Sequence, residues 1–281
     1  MHIQPLNELR KNLSWRITSK ILIALILLAI FAPWLAPVDP NRQTREAFQS
    51  PSVDHFLGTN HVGQDNWSRL VYGARTSLMV GFSVALLATL IGVLVGGTTA
   101  LRRGLYDLIL MRVVDGLLII PAIVILILIT AYLKPTLALL VVLISIFSWP
   151  AGARIVRAQT LSLKERAHIW AARSFGGSRG YILRRHILPE LGPILVVEFI
   201  HNFRRAVFME AGLAFLGICD PMTVSWGAMI KNAVDYSYMN AWLWWLIPAG
   251  GALSATILSL AWIGHSLEPI LEPRLKELAS A

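Results

Sequence analysis

Thr76-Ser77-Leu78-Met79-Val80-Gly81-Phe82-Ser83-Val84-Ala85-Leu86-Leu87-Ala88-Thr89-Leu90-Ile91-Gly92-Val93-Leu94-Val95-Gly96-Gly97-Thr98-Thr99-Ala100-Leu101 is a run of 26 residues without one charge. About 20 mostly apolar residues, at ~1.5 Å of rise each, cross the ~30 Å hydrocarbon core of a bilayer. The run reads as a membrane-spanning helix. Its Gly92 and Gly96 form a small-xxx-small pair, which lets a helix pack closely on a neighbour. The whole chain agrees, since 56% of its 281 residues are hydrophobic and only 15% are charged. Soluble domains run at about 45–50% and roughly 25%. So large an apolar surplus excludes a disordered chain. A single cysteine, Cys219, excludes a disulfide framework.

Outward from that span, five further apolar runs follow the same reading. They are Ile21 to Ala36, Val113 to Leu133, Leu137 to Pro150, Gly192 to Ile218 and Trp242 to Gly264. Alternating ten-residue strands are absent, which excludes a β-barrel. The first run is too internal, and lacks a small-residue cleavage site before Pro37, to be a secretory signal. With six spans and the N-terminus inside, seventeen of the 25 basic residues fall on the inner side, six on the outer, and Arg204 and Arg205 within span five. Arg10, Lys11, Arg274 and Lys276 are among the inner ones, and Lys134 among the outer. That bias sets both termini in the cytoplasm. The net charge of +9 is therefore mainly a topology signal, and nucleic acid is not an expected partner.

Three segments outside the spans are longer than connectors. Pro37 to Arg75 is extracytoplasmic and ends in a predicted short amphipathic helix, Gln64 to Leu78. Cys219 to Ala241 is a second outer segment rich in aromatic residues. Ala151 to Pro189 is basic, with a helical pattern broken at Gly176-Gly177 and closed by Pro189. It reads as a docking element, or more simply as a loop lying on anionic head groups. The sequence offers no catalytic chemistry. It has no Gly-Lys dipeptide for a phosphate-cradling loop and no His-Glu-x-x-His. His55, His61, His201 and His265 lack metal-ligand spacing. Energy for any transport must come from a partner or an ion gradient.

At Ala151–Pro189 the residues become recognisable. Ala171-Ala172, Gly176 and Ile187-Leu188-Pro189 resemble the EAA loop of importer-type ABC permeases, with Trp170 at the position of the usual Glu. Leu57-Gly58-Thr59-Asn60-His61-Val62-Gly63-Gln64-Asp65 and the following Ser68-Arg69-Leu70-Val71-Tyr72-Gly73-Ala74-Arg75 resemble the Leu-Gly-Thr-Asp-x-x-Gly-Arg-Asp signature of the second permease of peptide and nickel importers. Asn60 and Gln64 stand in place of that signature's Asp and Arg. Glu210-Ala211-Gly212-Leu213-Ala214-Phe215-Leu216-Gly217 with Ser225-Trp226-Gly227 is similar to the same family after span five. Near the C-terminus His265 and Glu268 replace a family Asp and Arg.

The resemblance implies an all-α inner-membrane permease of about six transmembrane helices. It divides the chain into a cytoplasmic segment 1–20, a first span 21–36, an extracytoplasmic segment 37–75, a permease core 76–264 containing a coupling loop 151–190, and a cytoplasmic tail 265–281. It implies a second homologous permease, two ATPase subunits binding ATP and magnesium, and an extracytoplasmic binding protein as partners. No cofactor or metal is expected in this chain itself, and no enzymatic step. Trp170, Ala171, Ala172, Gly176 and Pro189 are the expected ATPase-coupling residues. Peptides or nickel and other metal chelates are the implied cargo.

Span five carries the remaining chemistry. Glu198, His201 and Arg205 share one helical face, with Arg204 adjacent and Glu210 one to two turns on. Ionisable groups within a span face water or each other. They line a path for an anionic or zwitterionic substrate, or they pair as Glu198–Arg205 and Glu210–Arg204. Pro121 marks a kink in span three, and Trp242, Trp244 and Trp245 read as an interfacial aromatic belt. The competing class is a stand-alone ion-coupled carrier, with span five as the ion relay. Such carriers are often built from inverted repeats, which the sequence does not show, and they need no ATPase-docking loop. A membrane scaffold without transport leaves the span-five charges unexplained.

Overall fold

The computed structural model describes residues 13–133, 136–220 and 222–271, and for 268–271 the backbone alone. The N-terminal Arg10 and Lys11, Lys134 between spans, the side chain of Glu268, and the tail's Arg274 and Lys276 lie outside the described residues. The described chain is helical. Helices α1 (Leu13–Ile30) and α2 (Ala32–Leu35) lead through an irregular segment to α3 (Asn66–Arg102). Then come α4 (Leu105–Ile119), α5 (Ala122–Tyr132) and α6 (Leu137–Leu163). Two short helices, α7 (Ala167–Ser174) and α8 (Arg179–Ile182), pass through a π-helical turn, Leu183–Ile187, into α9 (Leu188–Phe215). The chain closes with α10 (Trp226–Asp235) and α11 (Trp242–Leu271).

Four of these, α1, α3, α6 and α11, are long and apolar enough to cross a membrane, and the bent pair α4–α5 makes a fifth. At 28 residues α9 is long enough as well, but its charges set it apart. The third apolar run is therefore not one kinked helix: it breaks at Pro121 with a bend of 82°. Proline lacks the N–H that would bond back along the helix, and it pushes the preceding residue toward extended backbone. Ile120 accordingly sits at φ −81° and ψ 127°. Pro150 behaves differently, lying inside α6, which runs on to Leu163. The helical backbone thus continues thirteen residues into the segment that the sequence set apart at 151.

The central helix is α3. Its 37 residues extend about 55 Å, well beyond a bilayer core. The predicted amphipathic helix Gln64–Leu78 is not separate but forms the protruding start of α3. Along the membrane α3 packs chiefly on α6, then on α9, and α1 and α11 cover its other side. Gly92 and Gly96 face α6. A β-carbon on Gly96 would lie 2.3 Å from the Ala153 carbonyl oxygen and 2.9 Å from the Arg157 nitrogen. Only bare backbone allows that approach. Gly96→Val is expected to cost about 3 kcal/mol through forced separation of α3 and α6. Denaturant titration of the purified protein in mixed micelles checks it, and unchanged stability would show that the two helices yield freely. The outward apolar side chains, such as Phe82, Leu90 and Leu94, remain exposed as a lipid-facing surface should.

The outer signature folds into a cap for α3. Asp65 accepts from the Ser68 amide (2.7 Å) as the N-cap, and its other oxygen lies 2.9 Å from His55 Nδ1. Asn60 Nδ2 donates to Gln64 Oε1 (2.7 Å), and Asn60 Oδ1 accepts from the Val62 and Gln64 amides. The two departures from the family signature therefore touch each other. A neutral amide pair fills the place of a charged one. Arg69 Nη1 donates to the same Gln64 oxygen (2.7 Å) and to the Pro40 carbonyl (3.0 Å).

Behind this cap His61 packs against Tyr236 (4.7 Å) and Trp245 (5.7 Å) in a cluster of three near-parallel rings, the latter two 6.2 Å apart. Trp245 is thus a buried core residue, not part of an interfacial belt, while Trp242 is exposed. His61 Nδ1 is buried without a hydrogen-bond partner. Burial first, then Arg69 and Lys231, hold its imidazole below the ordinary value, with Asp235 opposing. Because the fold favours the neutral ring, the stabilisation is full above about pH 6.5 and is lost as pH falls through that value toward the lowered one. The melting temperature is expected to drop between about pH 7 and pH 5. His61→Phe keeps the stack and should flatten that slope. An equal slope in the variant assigns the acid sensitivity elsewhere.

Candidate functional site

Helix α9 carries its charges into a cleft. A cavity of about 530 Å³ is lined by Glu198, His201, Asn202, Arg204, Arg205 and Phe208 of α9, with Ala151 and Ile155 of α6 and Ile257 of α11 opposite. The spacing i, i+3, i+4, i+7 places Glu198, His201, Asn202 and Arg205 along one stripe. Glu198 is 8% exposed. Asn202 Nδ2 donates to Glu198 Oε1 at 3.3 Å, and Arg204 Nη2 lies 3.5 Å from His201 Nδ1. On the facing wall a β-carbon at Gly152 would stand 2.8 Å from Glu198 Oε1, so the glycine makes room for the carboxylate.

The sequence left two ion pairs open, Glu198–Arg205 and Glu210–Arg204. Among the described residues neither forms. Glu210 does not line the cleft at all. It is 2% exposed, and its Oε2 accepts from Ser77 Oγ at 3.0 Å. That same hydroxyl oxygen lies 3.4 Å from the Trp226 amide, so Glu210 joins α9 to α3 and to the start of α10. Four of the five sequence-selected residues therefore share one cleft, and the fifth sits in the packed interior. Asn202 was not selected from the sequence. Its position four residues after Glu198, one turn along the same face, was the available signal.

A second site lies at the far end of α6. Trp170, Ala171 and Ala172 are on α7, Gly176 follows it at φ +85°, and Pro189 stands in the first turn of α9. The backbone is helical without interruption from Arg179 through the π-helical turn Leu183–Ile187 into α9, and the proline leaves one backbone bond of that turn unmade. Glu190 anchors α7 to α9: it pairs with Arg166, and its Oε1 lies 2.8 Å from His168 Nε2. Ile169 turns inward with Ile182, Ile187 and Leu191 to form the local core. The outward side carries two uncovered aromatic side chains, Trp170 63% and Phe175 92% exposed, among the exposed His168, Arg173 and Ser174. Sequence reasoning passed over Phe175. A large aromatic residue directly before the Gly176-Gly177 break was the sign, because nothing after the break is placed to cover it. No heavy atom lies within 4 Å of a β-carbon at Gly176, so the turn is open to a partner.

Comparison with known proteins fits this arrangement. Residues 88–277 match the model of the family described as binding-protein-dependent transport system inner membrane component. Residues 8–51 match the N-terminal TM domain of oligopeptide transport permease C. The chain is 39% identical, over 96% of its length and 90% of the relative's, to a "Putative peptide transport system permease protein" of Brucella abortus biovar 1. It is 33% identical, over 91% of its length and 80% of the relative's, to the dipeptide transport system permease protein of Bacillus subtilis.

Proposed function

From the premise that the chain belongs to the family of binding-protein-dependent transport system inner membrane components, a multi-pass permease of ATP-driven importers, we propose that it carries peptides through the α9 cleft. The observation that supports peptides is the cleft's mixed charge. Glu198 suits a free amino terminus, and Arg204 and Arg205 suit a carboxylate. The printed names of the relatives, which concern peptides and dipeptides, point the same way. Nickel or other metal chelates are the alternative cargo.

The chain pairs with a second homologous permease, and a binding protein delivers cargo from outside. Two ATPase subunits, which hold the ATP and magnesium, serve the permease pair, and one of them docks on the outward face of α7, where Trp170, Ala171, Ala172, Phe175 and Gly176 meet it and Pro189 fixes the helix behind. This chain performs no chemical step itself. Both termini lie in the cytoplasm of an inner membrane, as the distribution of basic residues favours. ATP-driven closure of the ATPases moves α7. Its tie through Glu190 passes that motion into α9 and so into the cleft wall.

The test is substrate-stimulated ATP hydrolysis by the reconstituted complex. Peptides with free termini should stimulate it, and the same peptides acetylated and amidated should not. Stimulation by nickel chelates alone would overturn the peptide reading.

A further inference from the structure

Away from the α9 cleft, a second cavity of about 270 Å³ opens where α3 and α6 end beside α7 and α8. Five cations line it, Arg102, Arg103, Lys164, Arg173 and Arg179, against one carboxylate, Glu165. Nearby basic residues are matched differently. Arg154 pairs with Asp115, Arg157 with Asp107, and Arg166 with Glu190. Among the described residues, none of the five cations in the cavity has a carboxylate within ion-pair distance. Lys164 is held below the ordinary lysine value, first by burial and then by Arg103, with Glu165 opposing and Arg173 and Arg157 adding. So concentrated a positive charge calls for an anion.

Position selects the anion. Arg102 is the last residue of α3 and Lys164 caps α6, so the cluster lies at the water end of two apolar helices. Arg102 stands over the Tyr106 ring at 5.0 Å, and Tyr106 bonds Thr98, an aromatic hydroxyl of the kind found at head-group depth. Directly beside the cavity the start of α4 turns Leu105 (78% exposed), Leu108 and Ile109 outward. An apolar surface continuous with a cationic pocket fits a molecule with an anionic head and hydrocarbon tails. Arg103 holds φ +49° at the α3–α4 turn, an uncommon conformation for a residue with a β-carbon, in the corner where pocket and apolar surface meet.

We propose that this cavity binds the phosphate of an anionic phospholipid from the leaflet on the α7 side. The proposal rests on membrane embedding alone and is independent of the cargo and of the chain's orientation. Each cation at a charged membrane surface contributes about fivefold in affinity. Bound lipid would brace the ends of α3 and α6 against α7 and α8.

The assembled complex, in nanodiscs with spin-labelled phosphatidylglycerol or phosphatidylcholine, provides the test. Wild type should retain phosphatidylglycerol in excess. The double variant Arg103→Gln with Lys164→Gln should lose that excess by about fivefold per charge removed. The variant Arg103→Lys with Lys164→Arg, and Arg42→Gln at the opposite end, should keep it. Equal retention of the two lipids by wild type overturns the proposal. So does protection of Lys164 from an amine-modifying reagent by inorganic phosphate but not by phosphatidylglycerol, which assigns the site to a free anion. Loss of ATPase subunits from the double glutamine variant with lipid preference unchanged gives the cluster to the ATPase surface instead, and also overturns it.

Discussion

Replacing Phe175 with serine is expected to stop transport while the chain remains folded and inserted. The side chain is 92% exposed, so its loss removes little from this chain's own packing. Against a docked ATPase the same ring would bury its whole surface, and burying a Phe side chain is worth about 2–3 kcal/mol. Aromatic anchors at the centre of an interface commonly cost 2 kcal/mol or more when truncated. ATPase affinity should therefore fall about thirtyfold. Gly176→Trp should act in the same direction by another route. Its φ of +85° is strained for any residue with a β-carbon, and its open surroundings mean that the new bulk collides only with a partner. Co-purification of the ATPase subunits and uptake into vesicles read both effects. Full transport by either variant would remove α7 from the coupling role.

The reach of sequence reasoning differs between spans and site for physical reasons. Spans are legible because hydrocarbon imposes one requirement, about 20 apolar residues, and Thr76–Leu101 meets it plainly. Their ends are less legible, because a helix continues wherever its backbone bonds continue, whatever the side chains. Thus α6 runs thirteen residues past Pro150, to Leu163, although the sequence turns polar and basic there. The start of α3 likewise extends outward as one helix because Asp65 caps it, a contact set by the fold of the outer segment. Pro121 and Pro150 look alike in sequence, yet one breaks its span by 82° and the other is absorbed. Helical spacing correctly put Glu198, His201 and Arg205 on one face. It could not tell that Glu210, further along the same helix, turns to Ser77 in the interior, because that depends on where α3 passes.

Arg205→Ala is expected to reduce peptide transport about thirtyfold while assembly and basal ATP hydrolysis stay intact. Arg205 is exposed in the cleft and, among the described residues, forms no pair with Glu198. Its guanidinium is therefore available to cargo rather than committed to the fold. A hydrogen bond to a charged partner contributes about 2 kcal/mol, which sets the expected factor. Arg205→Lys keeps the charge but not the planar fork that grips a carboxylate with two parallel bonds, so its loss should be intermediate. The loss should also depend on the cargo. A peptide amidated at its C-terminus has no carboxylate to lose, so wild type and Arg205→Ala should handle it equally poorly. A structural arginine behaves otherwise. Its removal would strand a buried carboxylate and lower stability, and a second change at Glu198 would then restore assembly. Uptake of free and amidated peptides, measured beside the melting temperature of each variant, separates the two. A drop in melting temperature that Glu198→Gln reverses, with transport recovering in parallel, would make Arg205 part of the fold and leave the carboxylate of the cargo to Arg204.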